Sequence, residues 1–501
     1  MKTQPDTPQW EPARLVPVSG IRNSEEQERR ATSALLAVLS AVDEFGEQLT
    51  RPFGAPKGQL ETYIEVPFKL SDGKAVRPDG LIRATRGKRS WTALIEVKTG
   101  SNALGRDQVE NYLDLAREQG FDCVITISNQ IARIPGEHPV DADKRKLKKT
   151  ALHHLSWSRI LTEAVMQKSY RGVADPDQAW ILGELIRYLE HPNAGAVDFS
   201  DMGEHWVGVR DAAKNGTLRH SDKKAFEIAG KWEELVTFAS LRLGRKLGAE
   251  VQEVLSSKEL NDISLRIANI VDAMVARSIM PGAIRIPNAI GDITIKADLR
   301  AQQVVAAVSL DAPSEGRATT RINWLLRQLK ASSSEIRLDS WGKRSRSSMS
   351  DLLGNVRNNQ TLLIPVDDRE IISFTVSLVR PMGLKRLVSK GSFIDSVLDT
   401  IDDFYGDVVQ HLREWQPAAP KLKKKGVEEI EPQTSPPIQK PQTSAIDFTA
   451  TAQGDIGNLQ IIDSEPSQNP EGTGDNSMGP LRLADKPTEH SREIQPDGFG
   501  A

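Results

Sequence analysis

The sequence predicts an α/β protein of two or three domains, and two observations lead to that prediction. Apolar, β-branched runs typical of strands alternate with amphipathic runs typical of helices, in the order helix, three strands, helix, strand over the first third of the chain. The length of 501 residues exceeds what one hydrophobic core supports, so two or three domains are expected.

The first predicted helix covers residues 24–49. Ser24 is the expected N-cap, and Gln27, three residues later, would complete a capping box. Apolar residues recur along one stripe of this helix, at Leu35, Leu36, Leu39 and Val42. Three strands are predicted next, at 62–70, 75–84 and 90–99, with polar turns at 71–73 and 86–88.

A second helix is predicted over residues 104–119. It ends at Gly120, a favourable residue after a helix C-terminus. The β-branched run 121–128 follows and suits the interior of a sheet. A strand at 151–156 and helices at 157–168 and 178–190 complete this part of the chain.

The composition divides the chain into four parts. Residues 1–22 are rich in proline and are expected to be flexible, and residues 23–190 form the first predicted domain. Residues 191–416 are predicted to form a helical plus α+β domain, and residues 417–501 a disordered tail without apolar periodicity. Within the second domain we predict helices at 222–255, 258–277, 317–329 and 392–415 and strands at 283–286, 292–299, 304–310, 335–340, 361–365 and 371–379.

The composition also bears on location and partners. Cys123 is the single cysteine, so a disulfide framework and a cysteine-based zinc cluster are excluded. The first residues lack the apolar segment of a signal peptide, and the apolar run 35–39 is far shorter than a membrane span. A cytoplasmic protein without a membrane partner is expected. The formal net charge of −3 means that any nucleic acid must be bound through local basic patches.

Two short strings carry the chemistry, Arg77–Gly80 and Glu96–Gly100. Side chains alternate along a strand, so Glu96 and Lys98 share the face opposite Ile95 and Val97. The carboxylates of Asp79 and Glu96, with the Val97 carbonyl as a third ligand, are oxygen donors of the kind that Mg²⁺ or Mn²⁺ prefers. Lys98 beside such a metal could orient the attacking water in phosphodiester hydrolysis.

With the string Gln108–Tyr112, these motifs resemble the PD-(D/E)XK nuclease superfamily, in particular the QxxxY subgroup that includes RecB-type nuclease domains. The resemblance covers about residues 24–156. It implies a restriction-endonuclease-like α-β-β-β-α-β core. It also implies that Asp79 and Glu96 bind magnesium, that Lys98 activates water, and that Gln108 and Tyr112 support the site or contact the phosphate backbone.

Members of this superfamily often place a further acidic residue on the first helix. The sequence offers several residues for that position and does not distinguish between them. They are Glu25, Glu26 and Glu28 on the first predicted helix and Glu65 on the first predicted strand.

The resulting prediction is a magnesium-dependent phosphodiesterase, a nuclease whose expected substrate is DNA; RNA remains open. The basic run at 144–149 could contact phosphates. The alternative is a non-catalytic protein of the same fold that acts as a nucleic-acid-binding or stress- and defence-associated interaction scaffold. In that case residues 191–416 could supply the surface for a protein partner.

Overall fold

The computed structural model describes residues 14–134, 136–366, 369–417 and 419. Most of the predicted flexible N-terminus and nearly all of the predicted tail, 417–501, therefore lie outside the described residues. Residues 14–22 contain neither helix nor strand. They pack against the rest of the chain nevertheless, because Val18 is buried and the Leu15 amide donates a hydrogen bond to the Glu184 carboxylate.

The chain is a mixed α/β protein, as predicted, and its N-terminal part is built on a five-stranded sheet. The strands are β1 (Leu60–Ile64), β2 (Phe68–Lys69), β3 (Ala75–Val76), β4 (Gly80–Arg86), β5 (Arg89–Val97), β6 (Cys123–Ser128) and β7 (Ala151–Ser156). The helices are α1 (Ser24–Ala41), α2 (Asp43–Thr50), α3 (Arg106–Gln119), α4 (Lys144–Leu147), α5 (Trp157–Met166) and α6 (Pro176–Leu189).

The order of this sheet is β1-β4-β5-β6-β7, while β2 and β3 form a separate small ribbon. Strands β1, β4 and β5 are antiparallel neighbours, whereas β5, β6 and β7 run parallel. Strand β5 is therefore where the sheet changes from antiparallel to parallel pairing. The parallel strands require crossover connections, and α3 supplies the one between β5 and β6.

Each face of the sheet buries its own hydrophobic cluster. Ala93, Ile95 and Val97 of β5 belong to the cluster that includes buried residues of α1, α2, α5 and α6. Leu94 belongs to the opposite cluster, which includes the buried residues of α3. This alternation follows from the two-residue period of a strand. A strand with both faces buried reads as a continuous apolar run.

The C-terminal part contains a seven-stranded antiparallel sheet in the order β13-β12-β14-β11-β10-β9-β8. Its strands are β8 (Gln252–Glu253), β9 (Ile279–Arg285), β10 (Ile293–Asp298), β11 (Gln303–Asp311), β12 (Arg337–Gly342), β13 (Ser348–Leu352) and β14 (Ile371–Pro381). The helices are α7 (Trp206–Lys214), α8 (Lys223–Leu247), α9 (Ser257–Asn261), α10 (Ile263–Arg277), α11 (Ala318–Gln328), α12 (Leu353–Asn358) and α13 (Phe393–Asp407). A single hydrophobic cluster joins one face of this sheet to helices α7, α8 and α10–α13.

Several predicted boundaries in the N-terminal part are wrong. Asn23, not Ser24, caps α1, since its side chain accepts a hydrogen bond from the Glu26 amide. The helix predicted over 24–49 is broken at Val42, whose extended backbone separates α1 from α2. The strand predicted over 75–84 is interrupted at 77–79, and that interruption contains Asp79.

The largest errors in the C-terminal part have local causes. The run predicted as a strand at 361–365 belongs to a 3-10 turn that begins at Gln360, because the Asn359 side chain accepts a hydrogen bond from the Thr361 amide and caps it. The helix predicted over 222–255 stops at Gly248, which has a positive φ of 64°.

No described helix is both long and apolar enough to cross a membrane.

Gly80 allows α1 to approach the start of β4 closely. A Cβ atom at this position would overlap with the buried Leu36 side chain and would lie 3.3 Å from the Tyr63 carbonyl oxygen. We expect Gly80→Ala to lower the free energy of unfolding by about 1–3 kcal/mol, because the neighbours are packed on both sides. Urea denaturation measures the change.

Gly208→Ala is the matched control. No atom lies within 4 Å of a Cβ built at this helical glycine, so we expect the substitution to stabilise the protein by up to about 1 kcal/mol. Equal stability changes in the two variants would show that the approach of Leu36 to Gly80 is not tight.

Candidate active site

The pairing of β4 with β5 brings Asp79 to Glu96. Gly80 pairs with Ile95, so Asp79, one residue earlier, lies level with Glu96. The Val97 amide donates a hydrogen bond to Asp79 Oδ2 at 2.7 Å. Glu96 is fully buried. The two carboxylates therefore share a site at the end of β5, although they are separated by 17 positions in the sequence.

Lys98 connects the acidic groups of the site. Its Nζ atom donates to Glu96 Oε1 at 2.6 Å and to the Val97 carbonyl oxygen at 3.3 Å. It also lies 3.4 Å from Glu28 Oε2. The contact between Glu96 and Lys98 agrees with the shared strand face that the sequence predicts.

Among the four additional acidic residues left open by the sequence, Glu28 is the one that contacts Lys98. Its Oε1 atom accepts hydrogen bonds from the Asn102 side-chain amide at 2.6 Å and from the Thr99 amide at 3.4 Å. The Glu28 side chain is only 13% exposed, whereas the Glu25 side chain is 77% exposed. Glu28 therefore belongs to the same cluster as Asp79, Glu96 and Lys98.

The other two acidic candidates have different surroundings. Glu26 forms an ion pair with Arg30 and accepts a hydrogen bond from the Arg22 amide at the start of α1. Glu65 forms ion pairs with Arg29 and Arg77. Its backbone is held at a positive φ of 50°, and its amide donates to the Asp79 carbonyl oxygen at 3.0 Å. Glu65 therefore lies at the rim of the site.

A small cavity of about 90 Å³ opens beside these carboxylates. Acidic side chains from α1 and from the segment before β4 line it, and two arginines stand at its rim. The lining residues are Glu25, Glu28, Arg29, Thr32, Ile64, Glu65, Arg77 and Asp79. The cavity gives a small polar group access to Asp79 and Glu28.

Burial and mutual repulsion favour the protonated forms of the two central carboxyl groups. Burial, followed by the charge of Asp79, raises the pKa of Glu96 to about 8 against the opposing effect of Lys98. Burial also raises the pKa of Asp79, although the hydrogen bond from the Val97 amide and the Lys98 charge oppose it. Burial disfavours the Lys98 cation, but the charges of Glu96, Glu28 and Asp79 outweigh it and raise the pKa of Lys98. At neutral pH the cluster therefore retains a proton that isolated carboxylates would lose.

Gln108 and Tyr112 are adjacent on α3, four residues apart. The Gln108 side-chain amide donates to the Tyr112 hydroxyl at 3.2 Å, and that hydroxyl donates to the Arg77 carbonyl oxygen at 3.3 Å. Burial, followed by the charge of Glu96, raises the pKa of Tyr112 well above its ordinary value. The structure therefore brings Gln108 and Tyr112 to the segment that carries Asp79.

The backbone around Lys98 is fixed from two directions. The Lys98 amide donates to the Ile127 carbonyl oxygen at 2.8 Å. The Trp157 indole N–H donates to the Lys98 carbonyl oxygen at 2.9 Å. Trp157 is fully buried at the start of α5, so the lysine is attached to a rigid part of the core.

The loop after Lys98 is tied to residues 192–195. The Gly100 amide donates to the Gly195 carbonyl oxygen at 2.9 Å. Gln27 connects α1 to both segments, because its side-chain Nε2 donates to the Asn193 carbonyl oxygen at 2.8 Å and its side-chain oxygen accepts from the Thr99 hydroxyl at 3.0 Å. The predicted capping role of Gln27 is thus replaced by a contact that spans most of the N-terminal part.

The donor set is compatible with a hard divalent cation. Glu96 Oε2 is buried and has no hydrogen-bond partner, and an unpaired buried carboxylate oxygen is costly unless a proton or a cation satisfies it. The Lys98 ammonium links Glu96 to Glu28. Over the residues that the structure covers, no group of three or more His, Cys, Asp or Glu side chains has a metal-binding arrangement.

The sequence contained a signal for Glu28 that the motifs did not use. Residues 28, 32, 35 and 39 follow the three- and four-residue spacing of one helix face, and Thr32, Leu35 and Leu39 are buried. Glu28 therefore continues the buried stripe of α1 toward the end of the sheet. Trp157 gave no comparable signal, because an indole partner 59 residues from Lys98 depends on tertiary structure.

Comparisons of this chain with protein-family models, with curated proteins and with solved structures found no match.

Proposed function

We propose that this chain is a metal-dependent nuclease with a restriction-endonuclease-like core, and that it hydrolyses phosphodiester bonds of nucleic acid, with DNA as the expected substrate. One observation carries the proposal. Glu96 and Glu28 contact the Lys98 ammonium at the end of a central strand, and Asp79 lies level with Glu96 beside a cavity. Two neighbouring carboxyl groups and a lysine are functional groups that metal-assisted phosphodiester hydrolysis requires.

Each side chain has a role in this proposal. Asp79, Glu96 and the Val97 carbonyl would hold Mg²⁺ or Mn²⁺, which supplies charge neutralisation at the phosphate and lowers the pKa of water. Glu28 holds the Lys98 ammonium beside these ligands. The N–H that contacts the Val97 carbonyl would be free to donate to a water or a phosphate oxygen when that carbonyl binds metal. Tyr112 stays protonated, because burial raises the pKa of its phenol, so its hydroxyl keeps donating to the Arg77 carbonyl oxygen and supports the segment that carries Asp79.

The surface next to α3 supports a nucleic acid as the substrate. Helix α4 packs against α3, since the Lys146 ammonium lies 2.5 Å from Asp114 Oδ2 and 3.7 Å from Glu110 Oε2. The other four basic residues of the run project into solvent, where they can contact phosphates without losing an internal ion pair. They are Lys144, Arg145, Lys148 and Lys149.

The alternative is a non-catalytic protein of the same fold that binds nucleic acid or a protein partner through residues 191–416. The ion pairs of Lys98 with Glu96 and Glu28 favour it, because they would also stabilise a purely structural cluster. The two proposals differ in whether metal changes the covalent state of the nucleic acid.

Purified full-length protein incubated with supercoiled plasmid, linear duplex DNA and single-stranded RNA tests the proposal. We expect cleavage of DNA with Mg²⁺ or Mn²⁺ and none in EDTA. Nicked or linearised plasmid would indicate endonuclease action, and shortening of the linear duplex alone would indicate exonuclease action. Equal cleavage in EDTA, or no cleavage of any substrate with either metal, would contradict it, and binding without cleavage would favour the scaffold.

A further inference from the structure

A cavity of about 600 Å³ lies between the N-terminal sheet and helix α8. Its size falls within the range of about 300–1,000 Å³ that small-molecule sites occupy. The residues just after β6, the end of β7 and the start of α5 form one wall, while α8 and the segment 250–260 form the other. The cavity shares no lining residue with the one beside Asp79.

The walls are largely apolar, with one aromatic ring among them. Phe53 lines the cavity and is supported from behind by His153, whose ring centroid lies 4.6 Å away. Aliphatic side chains form much of the remaining wall, among them Leu49, Ile131, Leu155, Leu241 and Leu255. Such a surface suits the body of a small organic molecule.

Among the residues that line this cavity, Glu253 has a buried side-chain oxygen without a hydrogen-bond partner. It belongs to the short strand β8, and the buried oxygen is Oε2. In the described part of the chain no basic side chain forms an ion pair with it. A buried carboxyl group without a partner costs free energy unless a ligand or a proton satisfies it.

The surrounding charges favour a positively charged ligand. Three carboxylates line the cavity, Glu163, Glu250 and Glu253, against two arginines. Both arginines are already paired: Arg159 lies 2.8 Å from Glu163, and Arg133 forms an ion pair with Glu137. Apart from His154, the remaining ionisable groups that face the cavity, Glu250 and Glu253, are therefore acidic.

The neighbours of Glu253 act in opposite directions on its pKa, and burial with the nearby negative charges outweighs the rest. Burial, followed by the negative charge of Glu233 on α8, raises the pKa of Glu253 well above its ordinary value, against the effects of the Thr237 hydroxyl and of Arg266 on α10. Burial lowers the pKa of His154 to about 4, so this histidine adds no positive charge at neutral pH.

From the cavity, its aromatic wall and its unpaired carboxyl group, we infer that this site binds a small aromatic cation, an amine or an amidine. The cationic group pairs with Glu253, and the ring packs between Phe53 and the aliphatic wall. This binding is independent of the proposed nuclease activity.

Isothermal titration calorimetry of the full-length protein at pH 7.5 tests the inference with benzamidine and phenethylamine as probes. Benzamide and 2-phenylethanol are their neutral counterparts. We expect both cations to bind with a dissociation constant of about 1 mM or lower. We expect each neutral counterpart to bind at least about tenfold more weakly, because it cannot form the charge-assisted hydrogen bond. Equal binding of a cation and its neutral counterpart, or no saturable binding of either cation, would overturn the inference.

Variants locate the bound cation. Glu253→Gln is expected to weaken benzamidine binding at least about tenfold, whereas Glu250→Gln, at an exposed position of the same lining, should change it by less than about threefold because solvent screens its charge. Leu255→Trp, which fills the cavity, should abolish binding of all four compounds. Unchanged benzamidine affinity in Glu253→Gln or in Leu255→Trp would overturn the assignment.

Discussion

Replacing Lys98 with methionine is expected to lower the single-turnover rate of DNA cleavage by about 10³-fold at saturating Mg²⁺. Methionine retains the aliphatic stem and removes the ammonium that lies 2.6 Å from Glu96 and 3.4 Å from Glu28. Because this cation belongs to the reacting centre in our proposal, the loss should appear in the chemical step. DNA affinity, measured by fluorescence anisotropy in Ca²⁺, should change little.

Lys88→Met provides the matched control for that experiment, since Lys88 is exposed in the turn between β4 and β5. This variant should cleave DNA at the wild-type rate. Asp79→Asn should reproduce the loss seen in Lys98→Met. Wild-type rates in both Lys98→Met and Asp79→Asn would refute the catalytic role of the cluster.

Replacing Glu96 with glutamine is expected to stabilise the metal-free protein at pH 8 by about 2 kcal/mol while abolishing cleavage. The pKa of Glu96 is raised from 4.5 in the unfolded chain to about 8 in the folded protein. Between these values the folded state keeps a proton that the unfolded state has lost. Stability from this group therefore falls as the pH rises through that window, by up to about 1.4 kcal/mol per pH unit.

The measurement is urea denaturation in EDTA at several pH values between 6.5 and 8. The stability difference between Glu96→Gln and wild type should grow with pH, whereas Glu61→Gln, at an exposed position on β1, should parallel wild type. A purely structural Glu96–Lys98 pair predicts the opposite result. In that case Glu96→Gln would be destabilising by about 3–5 kcal/mol, because an uncompensated Lys98 cation would remain.

Several N-terminal elements were predicted from short stretches of sequence, because their apolar runs and end residues are sufficient to define them. The β-branched runs predicted β5 and β6, and Gly120 predicted the end of α3, since each depends on residues close in sequence. The break at Val42 was missed, because apolar periodicity continues across it and only the extended backbone of that residue separates the two helices.

In the candidate site too, contacts between residues close in sequence were predicted, whereas contacts between distant segments were not. Strand alternation placed Glu96 and Lys98 together, and helical spacing placed Gln108 beside Tyr112. Helical spacing puts Glu28 on the buried face of α1, but its contact with Lys98 and the support from Trp157 depend on segments that are about 60–70 residues apart. Such contacts are set by the packing of whole elements, which residue spacing alone does not encode.

The hydrogen bonds between the loop after Lys98 and residues 192–195 have a practical consequence for expressing the N-terminal part alone. A fragment that stops at residue 190 would lack the carbonyl acceptors for the Gly100 amide and the Gln27 side chain. It would also remove an acceptor of the Asn129 side-chain amide, the Gly195 carbonyl oxygen. The shortest fragment that preserves the surroundings of the lysine therefore extends through Gly195.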